Sequence, residues 1–191
     1  MKSHIITIDG GTTNTRAFLW NQDGKTVASA KAAVGVQITA ETGSNECIKK
    51  TVRQLIFSLL KEGSVDFSNI AGVYASGMIT SNVGLFEVPH LVAPASLKDF
   101  AEGVAVRDIP DLCSLPIHFI PGLKNMPDEQ VTLKNLDSMD MMRGEETEAL
   151  ALLNWTGLKE ECLLILPGSH TKFIATDAEG RLIGCLTSLS G

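Results

Sequence analysis

Ile5-Ile6-Thr7-Ile8-Asp9-Gly10-Gly11-Thr12-Thr13-Asn14-Thr15-Arg16 is the stretch on which the reading of the fold turns. Its first four residues are all β-branched, which suits a strand, and the glycines after Asp9 end that strand in a turn. Ala17-Phe18-Leu19-Trp20 makes a second apolar run, and Asn21-Gln22-Asp23-Gly24 turns the chain into Lys25-Thr26-Val27-Ala28. The pattern predicts an antiparallel meander at the start of the chain.

A second copy of the unit lies near the other end. Leu163-Leu164-Ile165-Leu166 runs into Pro167-Gly168-Ser169-His170-Thr171-Lys172, so a strand again meets a turn of Gly and hydroxyl residues. Arg16 precedes Gly24 at the same offset as Lys172 precedes Gly180, and Phe18-Leu19 matches Phe173-Ile174. A strand–loop–strand unit written twice predicts a duplicated architecture.

Between the copies, Ile48, Val52, Leu55, Ile56, Leu59 and Leu60 recur at helical spacing, with Ser44 as N-cap and Gly63 as the residue past the C-terminus. A strand over 70–75 opens into the loop 76–84. A helix begins at Ser96, and a short strand over 117–120 stops at Pro121-Gly122. The polar segment 124–140 reads as a connection, 145–155 as a helix ending near Gly157, and 162–166 as a buried strand. Strands and helices alternate, so the class is α/β.

A chain of 191 residues is long enough for one ordinary domain and a piece of another. With 44% hydrophobic and 20% charged residues it has the balance of a soluble globular protein. The net charge of −6 argues against a nucleic-acid or anionic-membrane partner, so a bound phosphate must be held by local donors. Cys47, Cys113, Cys162 and Cys185 are widely spaced and form no CxxC pair, which predicts reduced, buried thiols. The opening apolar run is too short for a signal peptide and no run reaches membrane-spanning length, so a cytoplasmic protein is expected.

Two loops rich in Gly and hydroxyl residues can surround a polyphosphate, since Gly lets the backbone approach while amides and hydroxyls donate to oxygen. Asp9, at a strand end, can hold Mg²⁺ through water, and Arg16 can pair with a phosphate oxygen or brace its loop. Neither loop is a GxxxxGK[ST] or a GxGxxG, and taken alone both also read as ordinary β-turns. His4, His90 and His118 show no metal-ligand spacing.

The stretch from Asp9 to Arg16 resembles the first phosphate loop of the actin/hexokinase-like kinases. Four further motifs stand in the order expected of the 2-dehydro-3-deoxygalactonokinases. They are Gly77-Met78-Ile79-Thr80-Ser81-Asn82-Val83-Gly84, Ile120-Pro121-Gly122, Met142-Arg143-Gly144-Glu145-Glu146-Thr147 and Leu166-Pro167-Gly168-Ser169-His170-Thr171-Lys172. The resemblance implies a ribonuclease H-like lobe with a mixed sheet and flanking helices over 1–160, and the opening strands of a second, nucleotide-side lobe over 161–191. It further implies ATP and Mg²⁺ as cofactors, and transfer of the γ-phosphate to the 6-hydroxyl of 2-dehydro-3-deoxy-D-galactonate in galactonate breakdown.

Within that frame Gly11, Thr12, Thr13, Arg16, Gly168, Ser169 and Lys172 are the nucleotide-side candidates, with Asp9 for the metal. Met78, Ser81 and Asn82 lie on a strand-end loop, where α/β proteins place ligand contacts, although turn chemistry also explains Asn82. Arg143 offers a planar fork that matches a carboxylate, or alternatively a surface ion pair. His170 can contact substrate or a carbonyl.

Glu145 and Glu146 open a helix, whose dipole favours ionised carboxylates. Either can accept the proton of the sugar hydroxyl, or both can be simple helix stabilisers. Adjacent helical residues diverge, so one of the two faces the substrate, and Glu145 is the choice.

Members of the resembled family continue beyond residue 191. The 191-residue polypeptide alone is therefore expected to be kinase-inactive, with unpaired strand edges that favour association with another chain. Alternative readings are a kinase of another sugar or sugar acid on the same fold, and a non-catalytic sugar or nucleotide sensor.

Overall fold

A computed structural model describes residues 2–125, 130–168 and 170–189. The strands, in chain order, are β1 (His4–Gly10), β2 (Thr15–Asn21), β3 (Thr26–Ala32), β4 (Ile70–Gly77), β5 (Leu91–Val92), β6 (Ala105–Arg107), β7 (Ile117–Phe119), β8 (Leu123–Lys124), β9 (Met141–Met142), β10 (Cys162–Leu166), β11 (Thr171–Thr176) and β12 (Leu182–Ser188). The helices are α1 (Gln37–Thr42), α2 (Glu46–Gly63), α3 (Leu97–Gly103) and α4 (Glu145–Thr156). The chain forms two compact units. One comprises Met1–Val88 with Val104–Ile120, the other Pro89–Gly103 with Pro121–Gly191.

In the first unit the described strands make a mixed sheet in the order β3-β2-β1-β4-β7-β6. The opening meander is present: β1 pairs antiparallel with β2, and β2 with β3. β1 runs parallel to β4, and β4 parallel to β7. The apolar stripe of α2 covers this sheet, burying Val52, Ile56 and Leu59 beside Ile6, Ile8, Leu19 and Val73. Asn45, and not Ser44, takes the N-cap position of α2, and Ser64 adopts the left-handed conformation after it. Gly63 is the last residue of the helix, and a Cβ there would lie 2.6 Å from a methyl of Leu19. That glycine serves packing against the sheet, not the turn.

In the second unit β5, β8 and β9 form one small sheet and β10, β11 and β12 another, the latter an antiparallel meander like that of β1 to β3. Ser96 and Asp99 cap α3 reciprocally: the Ser96 N–H donates to the Asp99 carboxylate at 2.7 Å, and the Asp99 N–H to the Ser96 hydroxyl at 3.3 Å. α4 ends at Gly157, in the left-handed conformation.

Two expectations are corrected here, the burial of β10 and that of the cysteines. β10 is not fully buried, since Leu163 and Ile165 are 58% and 54% exposed. Its alternate residues stand on a sheet face that no described element covers. Cys47 is exposed and Cys162 half-buried, whereas Cys113 and Cys185 are buried; all four are free. The segments Pro89–Gly103 and 121–160 belong to the same compact unit as the final strands. No described helix is long and apolar enough to cross a membrane.

Candidate functional site

Asp9 stands exposed near the carboxyl end of β1, in register with Arg16 on β2 and with Ser76 on the parallel strand β4. Parallel strands present their carboxyl ends together, so the loop after β1 and the loop after β4 are neighbours, the usual ligand position of such sheets.

The first loop is held from within and from outside. The Gly11 N–H donates to Asn14 O at 2.8 Å, the Val36 N–H to Gly11 O at 3.1 Å and the Gln37 N–H to Thr12 O at 3.0 Å. Gly11 therefore shapes the loop with its amide already engaged, while Thr12 and Thr13 are exposed. A cavity of about 340 Å³ adjoins them, lined also by Gly35, Gln37, Glu41 and Cys47. Gly35 was not among the sequence candidates. A Cβ there would lie 2.2 Å from the carbonyl oxygen of Thr12, so the loop closes only over a glycine. No spacing rule marks that residue, because its neighbour lies across a strand pair.

Beyond β4 the chain makes a 3-10 turn over Met78–Thr80. The Ser81 hydroxyl donates to Met78 O at 2.7 Å and is buried, the Met78 side chain is half-buried, and Asn82 is exposed. Ser81 thus closes the turn, leaving Asn82 as its accessible polar side chain.

The second unit holds the other group. Glu145 and Glu146 open α4 as expected, but their surroundings differ sharply. Glu146 is fully buried, and both its oxygens accept the Gly144 N–H at 2.8 Å. Burial pushes its carboxyl up to about 7, against the opposing effect of backbone N–H bonds at the helix start. Glu145 is half-exposed and accepts the Arg143 N–H at 3.2 Å. Arg143 places Nη2 3.0 Å from Nδ1 of His90. His90 is half-buried; burial, with the charges of Arg143 and Lys124, lowers its pKa to about 4.

Lys172 is held by partners within its own unit. Its Nζ donates to Met141 O at 2.6 Å and to the Thr187 hydroxyl, and lies 3.5 Å from an Asp140 oxygen. An ammonium has three donors, and these partners, all within the second unit, account for them. These contacts anchor the Lys172 side chain to the segment around Asp140 and Met141. Gly168 and His170 are exposed on the turn before β11, and Ser169 lies outside the described residues. Among the described residues no cluster of three or more His, Cys, Asp or Glu could hold a metal ion. A Mg²⁺ that keeps its waters and binds a nucleotide needs only one or two carboxylates, and Asp9 fits that demand.

The family model described as 2-keto-3-deoxy-galactonokinase matches residues 9–191, from Asp9 to the last residue. The chain belongs to this family. It is 29% identical over 181 residues to the 2-dehydro-3-deoxygalactonokinase of Escherichia coli K12, covering 94% of this chain and 51% of that protein.

The structure resembles that of a candidate 2-dehydro-3-deoxygalactonokinase from Sinorhizobium meliloti at a TM-score of 0.72 and 25% identity, over 98% of this chain and 55% of the other. A Ppx/GppA phosphatase of Aquifex aeolicus shares the fold alone, with a TM-score of 0.51 at 12% identity over 99% of this chain and 53% of the other. The expected mixed α/β, actin/hexokinase-like fold is thus present. The chain spans about half the length of the curated relatives it matches.

Proposed function

We propose that this chain contributes the acceptor-binding and phosphate-loop residues of a cytoplasmic, ATP-dependent kinase. Its substrate is 2-dehydro-3-deoxy-D-galactonate, phosphorylated on the 6-hydroxyl. The observation that carries this reading is the family match, which takes in both Asp9 and the segment from Arg143 to Glu146.

Asp9 would hold Mg²⁺, which when bound would supply charge to neutralise the phosphates. Thr12 and Thr13 donate their hydroxyls to phosphate oxygens, and Arg16 adds a cation beside the same strand end. Gly168 and Ser169 are assigned to the nucleotide side, and 161–191 to the opening of a nucleotide-side lobe. Arg143 receives the carboxylate of the sugar acid through its planar fork. In the first unit Asn82 and Met78 are assigned to substrate contact, on a turn that Ser81 closes, and in the second unit His170 is.

For the base, Glu145 is favoured over Glu146. A general base must reach the proton it accepts, and Glu145 is accessible whereas Glu146 is sealed against Gly144. Glu146 keeps the start of α4 in place and so positions Glu145.

The test uses a protein that carries this sequence at the full length of its relatives. ADP release is followed with 2-dehydro-3-deoxy-D-galactonate, its gluconate epimer and a panel of neutral sugars, and the product is located by mass spectrometry and NMR. Phosphate on the 6-hydroxyl of the galactonate compound is expected. Preference for a neutral sugar would make it a different kinase, and nucleotide binding without transfer would make it a sensor.

A further inference from the structure

Three strand ends meet in the second unit at one edge of a small sheet. Leu91 of β5 pairs in parallel with Leu123 of β8, and Leu123 pairs antiparallel with Met142 of β9. His90 just before β5, Gly122 just before β8 and Arg143 just after β9 therefore fall at the same end. The Leu91 N–H donates to Gly122 O at 2.9 Å and ties the first two together. A Cβ on Gly122 would lie 2.7 Å from Cδ2 of His90 and 2.5 Å from Met142 O, so the imidazole packs directly against bare backbone. That contact gives a physical reason for the glycine in Ile120-Pro121-Gly122.

Arginine has donors only, so in the 3.0 Å contact between Nη2 and Nδ1 the histidine must accept. The proton then sits on Nε2 and the ring is neutral. We infer that His90 is a positioning residue for substrate recognition: through Nδ1 it sets the rotation of the Arg143 guanidinium that receives the sugar-acid carboxylate, while Gly122 holds the imidazole in place. The inference rests on the carboxylate-binding reading of Arg143 proposed above. A planar fork matches a carboxylate with two parallel hydrogen bonds only in one orientation, and a long side chain does not hold that orientation unaided. A neutral imidazole accepts from the fork and brings no charge of its own. The low pKa of His90, near 4, keeps it in that neutral state.

The experiment compares His90→Leu, His90→Asn, His90→Gln and Arg143→Ala in the full-length protein. KM is measured for the sugar acid and for ATP, and folding is checked by thermal unfolding. Asparagine keeps an acceptor near the position of Nδ1, glutamine moves it outward, and leucine removes it. His90→Leu is expected to raise the sugar-acid KM roughly tenfold, with the ATP KM unchanged. His90→Asn should restore most of the loss and His90→Gln little of it. If His90→Leu fails to fold, the contrast of His90→Asn with His90→Gln carries the same test. Equal effects of asparagine and glutamine, or equal shifts for both substrates, would overturn the inference. A raised sugar-acid KM in Arg143→Ala with none in His90→Leu would overturn it alone. An Arg143→Ala variant with an unchanged KM would overturn the carboxylate reading and the inference with it.

Discussion

The Lys172 ammonium lies 3.5 Å from a carboxylate oxygen of Asp140, with side chains only 8% and 17% exposed. Met141 O and the Thr187 hydroxyl complete the shell of Lys172, and the Thr187 hydroxyl also donates to Asp140 at 2.9 Å. Leaving one member of a buried pair unmatched costs more than the pair contributes. Lys172→Met is therefore expected to destabilise the protein by about 3 kcal/mol in urea unfolding. Adding Asp140→Asn should cost less than the two single losses summed, and strict additivity would show that the charges are not coupled.

Glu146 and Asp140 should give stability opposite dependences on pH. The Glu146 carboxyl binds its proton more tightly when folded, at about 7 against an ordinary 4.5. Its favourable contribution is therefore full below pH 4.5 and lost as pH rises towards 7. Glu146→Gln keeps the shape without ionising, so at pH 8 it should be more stable than the parent by about 3 kcal/mol, with the gap closing in acid. For Asp140, burial raises the pKa, but hydrogen bonds from Thr187 and Met141 and the charge of Lys172 outweigh it and hold the group low. Its contribution is present above its ordinary value and lost as pH falls through the folded one. Stability curves for Glu146→Gln and the parent that run parallel from pH 4 to 8 would refute the account of Glu146.

Gly35 is expected to tolerate no side chain. Gly35→Ala places its Cβ against Thr12 O and must displace the first loop, at a cost of roughly 1–3 kcal/mol in stability. In the full-length protein the KM for ATP should rise more than that for the sugar acid. An alanine variant with unaltered ATP kinetics would remove the loop from the nucleotide side.

Asp9→Asn should lower phosphoryl transfer on the order of a hundredfold while leaving sugar-acid binding nearly intact, since only the charge near the phosphates is lost. Turnover titrated with Mg²⁺, beside calorimetric binding of the sugar acid, separates the two. Unchanged turnover and Mg²⁺ dependence would end the metal assignment.

Local chemistry in the sequence was enough for the opening meander, helix α2 and the start of α4, because β-branching, turn residues and helical spacing act within a few residues. It also carried the ordered motifs that place the chain in its family. Four features needed the folded chain: which of Glu145 and Glu146 is sealed, where Lys172 anchors, why Gly35 must be a glycine, and that His90 meets Arg143. His90 and Arg143 are 53 residues apart, and Lys172 and Met141 are 31 apart. Contacts over such separations are set by strand register and by the packing of elements against one another. A single sequence records the residues that make these contacts but not the pairing that brings them together.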